Sequence, residues 1–241
     1  MISDYMLTVL RNQYLRTRRR LNWKGSDRIF CLSMQRNGTT SVGDFFRYFQ
    51  YPVARWQDSW DNNWSKLWYE GNFQAIFNSG EFKSFQVFED DPWWLPEFYK
   101  VLYHRFPKAK FVLFYRDSEA WFNSMLTHSK GKTLGNTRRH CKIYRRELEF
   151  YNMWDSKIID PTDNEIDNLL SLEGKKQHYK EIYEIRNREV IDFFDSTEDG
   201  KLFHCNLADA NKWEKLGNFF GIAIPENFSM HANNSMDKQQ S

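Results

Sequence analysis

Arg28-Ile29-Phe30-Cys31-Leu32-Ser33-Met34-Gln35-Arg36-Asn37-Gly38-Thr39-Thr40-Ser41-Val42 is the stretch whose reading decides the fold. An apolar run, Ile29 to Leu32, feeds a tight polar loop at Ser33 to Gly38. Thr39, Thr40 and Ser41 then open an amphipathic segment through Phe45, Phe46 and Phe49. This is the pattern of strand, loop and helix. Such a loop aims successive backbone N–H groups and a helix N-terminus at one point, which suits a phosphate or sulfate group. Laid over the Walker A pattern G-x-x-x-x-G-K-[ST], Gly38 and Thr40 fit, but Ser33 holds the first glycine position and Thr39 the lysine position. The lysine that reaches the β- and γ-phosphates is therefore missing, and the cation of this loop stands earlier, at Arg36.

At 241 residues the chain suits one α/β domain with a sizeable core, residues 1–230, followed by a polar tail at 231–241. A net charge of +2 does not suggest a nucleic-acid binder, and no apolar run reaches the length of a membrane helix. The three cysteines, Cys31, Cys141 and Cys205, lie far apart without a C-x-x-C or His partner. They read as buried thiols of a reducing compartment, and neither a disulfide frame nor a metal site is expected. With no signal-peptide core, the expectation is a cytoplasmic protein. Asn37-Gly38-Thr39 is formally a glycosylation sequon, but a glycan there would fill the anion seat.

Residues 1–24 place Met6, Leu10, Tyr14 and Leu21 near helical spacing among five arginines, predicting a helix that covers the sheet. Its arginines suit an acidic membrane surface, an anionic substrate or a plain solvated face. In Tyr51 to Gly80, Trp56, Trp60, Trp64 and Trp68 recur every four residues, so one helical face of indoles is expected, packed inward or lining an acceptor cleft. Phe82 to Phe88 reads as a strand running into Glu89-Asp90-Asp91-Pro92. Three carboxylates at a strand's carboxyl end stand where open α/β sheets hold ligands, and their repulsion should raise at least one pKa towards that of a useful base. The competing reading is helix N-capping ahead of a helix at Trp93 to Phe106.

Phe111 to Tyr115 is a continuous apolar run suited to a central parallel strand. Arg116 follows it, and Ser124 stands about two helical turns further on, so a guanidinium and a hydroxyl would converge on one dianion. A Walker B reading fails because Arg116 precedes Asp117, offering a cation where a metal site needs an anion. Thr127 to Arg139 is basic and reads as a mobile lid whose His128, Lys130 and Lys132 would reach a ligand or solvent. Helices are expected at Tyr144 to Trp154, Ile166 to Leu172 and Tyr179 to Phe194, with a cap at Asp160 to Asp163. A last strand at Lys201 to Cys205 and a helix at Asn211 to Phe220, stopped by Gly221, complete the pattern.

Gln35 to Ser41 resembles the 5′-phosphosulfate loop of sulfotransferases, P-[KR]-[ST]-G-T-[TS]-[SWL], with Gln35 and Asn37 departing from it. Phe111 to Ser124 resembles that family's 3′-phosphate element, [FIVL]-x-x-R-[DN]-P-x-x-[AW]-x-x-S, with Ser118 in place of Pro. Lys212, Trp213, Leu216, Phe219, Gly221 and Pro225 follow the family's closing pattern, while its Arg-Lys-Gly segment has no counterpart. The likeness spans about residues 27–228. It implies a three-layer α/β sandwich with a central parallel sheet and a P-loop-like 5′-phosphosulfate loop. It also implies the donor 3′-phosphoadenosine 5′-phosphosulfate (PAPS), leaving adenosine 3′,5′-bisphosphate after metal-independent in-line transfer to the hydroxyl of a sugar, phenol or other small molecule. Gln35, Arg36, Asn37, Gly38, Thr39, Thr40, Ser41, Arg116 and Ser124 would bind the donor. Arg36 would act in catalysis with a carboxylate base, Asp90 or Glu89, with Asp91 also open. Asp90 falls where small-molecule sulfotransferases carry a catalytic histidine. Two other readings stay open: a kinase-like phosphotransferase using ATP and Mg²⁺, and a non-catalytic nucleotide-binding protein of the same fold. Acceptor identity and oligomeric state are not legible.

Overall fold

The computed structural model describes residues 4–24, 27–156 and 166–230. The expected cap at Asp160 to Asp163 and the tail beyond Met230 lie outside the described residues. The chain divides into two compact units, Met1–Tyr115 with Asp199–Ser241, and Arg116–Glu198.

The first unit is built on a parallel sheet of β1 (Ile29–Cys31), β2 (Val53–Ala54), β3 (Val87–Phe88), β4 (Lys110–Tyr115) and β5 (Leu202–Asn206), in the order β2-β3-β1-β4-β5. β1 pairs with β3 on one side and β4 on the other. Chain order therefore reverses direction at β1, and its carboxyl end is the switch point at which such sheets bind ligands. Alternation along the strands sends Ile29, Cys31, Val112, Phe114, Phe203 and Cys205 to one face. There they pack with Val42, Phe45 and Phe46 of α2 (Thr39–Tyr48) and Trp213 and Leu216 of α12 (Lys212–Phe220). The other face is aromatic: Phe30, Phe88 and Trp93 lie with ring centroids 4.7–5.4 Å apart, and Phe82 lies 4.8 Å from Phe88. Phe82, like Trp64 which also packs on Phe88, belongs to a helical segment between β2 and β3, so the parallel sheet is flanked by helices on both sides, as the α/β sandwich expectation requires.

Between β1 and β4 several expectations are corrected. The indole run is not one helix but α3 (Trp56–Asp61), α4 (Trp64–Tyr69) and α5 (Phe73–Asn78), because Asn63 and Gly71 take left-handed backbone at φ 54 and 73 and end the preceding turns. Trp64 and Trp68 are buried, whereas Trp56 and Trp60 stack on each other in the open. Phe82 lies in α6 (Gly80–Ser84), not in a strand, since the Ser79 hydroxyl accepts from Phe82 N and starts a helical turn. Only Val87 and Phe88 remain as β3. The helix expected from Trp93 begins later, as α7 (Phe98–Arg105). The N-terminal helix α1 (Asp4–Leu21) forms, but it leans on α6 through Arg16 and Arg19, which pair with Glu81 at 2.9 and 2.7 Å. Its Leu10, Tyr14 and Leu21 are exposed and do not cover the sheet.

The second unit contains α8 (Ser118–His128), α9 (Thr137–Ile143), α10 (Glu147–Asp155) and α11 (Lys176–Thr197). Ile166 to Leu172, expected as helix, instead runs antiparallel to the basic stretch read as a lid. Thr133 N donates to Leu170 O, Thr137 N to Ile166 O and Leu172 N to Gly131 O, each at 2.9 Å. His140 locks this pair to α11: its Nδ1 accepts from Leu134 N, so the neutral ring carries its proton on Nε2 and donates to the Tyr179 hydroxyl at 2.9 Å. Arg146 donates to the same hydroxyl at 2.8 Å.

Candidate active site

The loop after β1 is held from within. Asn37 is fully buried; its backbone N–H and its side-chain amide both donate to Met34 O, at 3.1 and 3.2 Å. That burial conflicts with the sequon reading. It also corrects one expectation, because the Asn37 N–H is spent on the loop itself and does not face an anion. Arg36 and Gly38 flank Asn37 with left-handed backbone, φ 67 and 75. Gly38 is favoured by its left-handed backbone, whereas a Cβ there would meet only the tip of the Leu207 side chain, at 2.9 Å.

Gly38 is also the N-cap of α2, and that N-terminus has neither a side-chain cap nor an acidic residue in its first turn. The first helical bond runs from Val42 N to Gly38 O at 3.0 Å, so the N–H groups of Thr39 and Thr40 precede the ladder. A helix start lacking both cap and acid is electrostatically suited to an anion. Burial lowers the pKa of the Arg36 guanidinium, while the neighbouring Asp90 carboxylate opposes that shift.

The three carboxylates have separate environments. Glu89 is 2% exposed; its Oε1 accepts from Arg55 Nε at 3.1 Å, while Oε2 has no hydrogen bond among the described residues. Desolvation pushes its pKa up to about 8, against the opposing pull of Arg55. Arg55 also pairs with Asp44 of α2 at 3.3 Å. Asp90 has left-handed backbone at φ 62 and lies beside the loop, where the Thr39 and Trp94 side chains and the Arg36 charge favour its anionic form. Desolvation outweighs them and raises its pKa. Asp91 faces α4 instead, where its Oδ2 accepts from Ser65 Oγ at 3.5 Å. The capping alternative is not what the structure shows: α7 has Glu97 at its N-cap, without a side-chain bond.

In the second unit, Arg116 opens the chain just after β4. Tyr183 of α11 clamps its backbone, the hydroxyl accepting from Arg116 N at 3.0 Å and donating to Arg116 O at 3.2 Å. Tyr183 is itself fixed by stacking on Trp121, 4.3 Å between centroids and 17° between planes. Asp117 caps α8 by accepting from Ala120 N at 2.9 Å. Ser118, which stands where the sulfotransferase pattern has proline, is the first residue of α8 and donates its hydroxyl to Glu184. Ser124 lies two turns along the same helix, partly exposed like Arg116.

A family model described as a sulfotransferase domain matches residues 28–237. The chain belongs to the sulfotransferase family. A comparison with curated proteins found no match. The sulfotransferase domain covers both the loop after β1 and the Arg116 to Ser124 element, together with the carboxylates that follow β3. Among the described residues of this sulfotransferase no cluster of three or more His, Cys, Asp or Glu is arranged to hold a metal ion, and no helix is long and apolar enough to cross a membrane.

Sequence reasoning missed Arg55, Gly43 and Tyr183. Arg55 reaches Glu89 because β2 pairs Ala54 with Phe88, which sets the next residues of both strands side by side. A two-residue strand after Pro52 carries no periodicity that would have revealed it.

Proposed function

We propose that the chain is a PAPS-dependent sulfotransferase acting on the hydroxyl of a small-molecule or carbohydrate acceptor, with Asp90 as general base. The observation that carries this reading is that Asp90 is set against Arg36 and Thr39, two residues of the loop suited to an anion. A base there would sit where sulfuryl transfer has to occur.

The residues present fit such a donor. The uncapped start of α2 suits its 5′-phosphosulfate end, and Arg116 with Ser124 suits its 3′-phosphate through a guanidinium fork and a hydroxyl. When bound, the donor supplies the sulfuryl group and a bisphosphate leaving group. Arg36 and the N–H groups of Thr39 and Thr40 would stabilise charge that builds on the leaving 5′-phosphate, and the Thr40 hydroxyl would add a donor, the Thr39 side chain being engaged with Asp90. Asp90 Oδ would take the acceptor's proton as its oxygen attacks. Glu89 is a positioning residue: it holds Arg55, and Arg55 holds Asp44 on α2. A sulfuryl group carries less negative charge than a terminal phosphoryl group, so the fixed cations and N–H groups are assigned the work that Mg²⁺ does in phosphoryl transfer.

The test is transfer from sulfur-35-labelled PAPS, in EDTA, to a panel of sugars, phenols and cell-extract fractions. Labelled product with the native chain, absent with Asp90→Asn although that variant still binds adenosine 3′,5′-bisphosphate, is the expected result. Bisphosphate binding without transfer to any acceptor would leave a nucleotide-binding protein and overturn the enzymatic reading.

A further inference from the structure

Helix α1 has two unlike sides. One carries Arg16 and Arg19, which reach Glu81 of α6 and seat the helix on the protein. The other carries Leu7, Leu10, Tyr14 and Leu21, which are 52%, 52%, 64% and 81% exposed. Successive spacings of three, four and seven residues keep these four on one face of an α-helix, and at 1.5 Å per residue the stripe runs for about 21 Å. An ordered helix that offers a continuous apolar stripe to water marks an interaction surface.

The flanking charge says what covers it. At 100° per residue, Arg11 and Arg18 border the stripe on one side, while Arg20 stands about 80° beyond its other edge, past Thr17 and Gln13. All three are exposed, and none enters a salt bridge among the described residues. The one acidic residue of α1 is Asp4, at its start. A second copy laid on this stripe would bring arginines against arginines, at a cost in like-charge repulsion. A bilayer with anionic headgroups supplies the opposite arrangement, apolar chains under the leucines and negative charge at the level of the guanidinium groups.

We infer that α1 is an interfacial helix that docks the protein on an anionic phospholipid surface through Leu7, Leu10, Tyr14 and Leu21, with Arg11 and Arg18 on the headgroups. The side that holds α6 stays with the protein, so docking needs no unfolding of the sheet. This surface is independent of the proposed sulfotransferase chemistry, since none of its residues is assigned to the site.

The experiment is co-sedimentation of the full chain with phosphatidylcholine vesicles, with and without phosphatidylserine at roughly one third of the lipid, at low and high salt. Binding is expected only with phosphatidylserine and is lost at high salt. Each arginine near the surface is worth about fivefold in affinity, so Arg11→Glu and Arg18→Glu together should weaken binding by about twenty-five-fold or more. Leu10→Asp with Tyr14→Asp should abolish it while leaving the thermal midpoint and bisphosphate binding unchanged, because both side chains face water in the free protein. Equal binding to neutral vesicles, no binding to phosphatidylserine vesicles at low salt, or retention by the Leu10→Asp, Tyr14→Asp variant would overturn the inference. So would a concentration-dependent dimer that dissociates in that variant, which would give the stripe to a second copy.

Discussion

The Glu89 carboxylate fills the space that a side chain on Gly43 would need, its Oε2 lying against the bare Cα of α2. The contact joins the carboxyl end of β3 to the helix that begins after the β1 loop, and Arg55, which donates to Glu89 Oε1 and pairs with Asp44, closes the same connection. Gly43 is therefore not a weak point tolerated within a helix. Its missing Cβ is what lets a buried carboxylate sit there.

Gly43→Ala should accordingly be harmful although alanine favours helices. The methyl group must displace Glu89 from Arg55, and overpacking of this kind costs about 1–3 kcal/mol. Urea denaturation should register that loss, and turnover should fall more than donor affinity, because the loop remains while Asp90's neighbour moves.

Arg36→Ala should lower turnover by about two to three powers of ten, as expected for loss of a donor to transition-state charge. Arg36→Lys should recover only part of it, since an ammonium on left-handed backbone does not reproduce the guanidinium fork. Single-turnover transfer from labelled donor measures both.

Asp90→Asn and Asp91→Asn separate two adjacent acids by environment. The first removes the group beside Arg36 and Thr39 and should abolish transfer; the second loosens a contact to Ser65 and should leave transfer within about threefold. Equal losses in the two variants would show that the turn acts as a whole.

What was legible in the sequence follows from length and from how local the cause is. β4 announces itself as five consecutive apolar residues, and α11 as a long helical repeat ending before a glycine turn, so both appear where expected. The loop between β1 and α2 is equally local, because Arg36 and Gly38, which turn the chain there with positive φ, stand two positions apart. Phe82 was misread because an aromatic-rich run suits a strand, whereas the Ser79 cap that starts a helix there is a single hydrogen bond. Trp56 and Trp60 share a period with Trp64 and Trp68, but two asparagines between the pairs break the helix and leave one pair out and one in. Arg55 depends on strand pairing across 34 residues, which no periodicity encodes.

Two buried groups give stability opposite slopes with pH. Glu89 is raised to about 8 from an ordinary 4.5, so the folded chain keeps a proton that the unfolded chain loses; stability from this group is full below about 4.5 and is lost as pH rises through 8. Desolvation, helped by Arg146, holds His140 down at about 3 from 6.5, so its contribution is full above 6.5 and is lost as pH falls through 3. Denaturant midpoints measured from pH 4 to 9 should show Glu89→Gln removing the alkaline decline and leaving the acid one.

Tyr183→Phe should weaken adenosine 3′,5′-bisphosphate binding by up to about thirtyfold, since loss of one hydroxyl releases both backbone bonds at Arg116, each worth about 1 kcal/mol. Calorimetric titration gives the affinity, and an unchanged Kd would remove Arg116 from the 3′-phosphate seat.

The central proposal, that the chain binds a doubly phosphorylated adenosine, is tested most directly by thermal unfolding in EDTA with adenosine 3′,5′-bisphosphate. At about a hundred times its Kd the ligand should add ~2.7 kcal/mol, a rise of roughly 5–10 °C for a chain of this size, and Arg36→Ala and Arg116→Ala should each abolish most of it. A chain stabilised by ATP with Mg²⁺ but indifferent to the bisphosphate, or one whose bisphosphate shift survives both substitutions, would contradict the account.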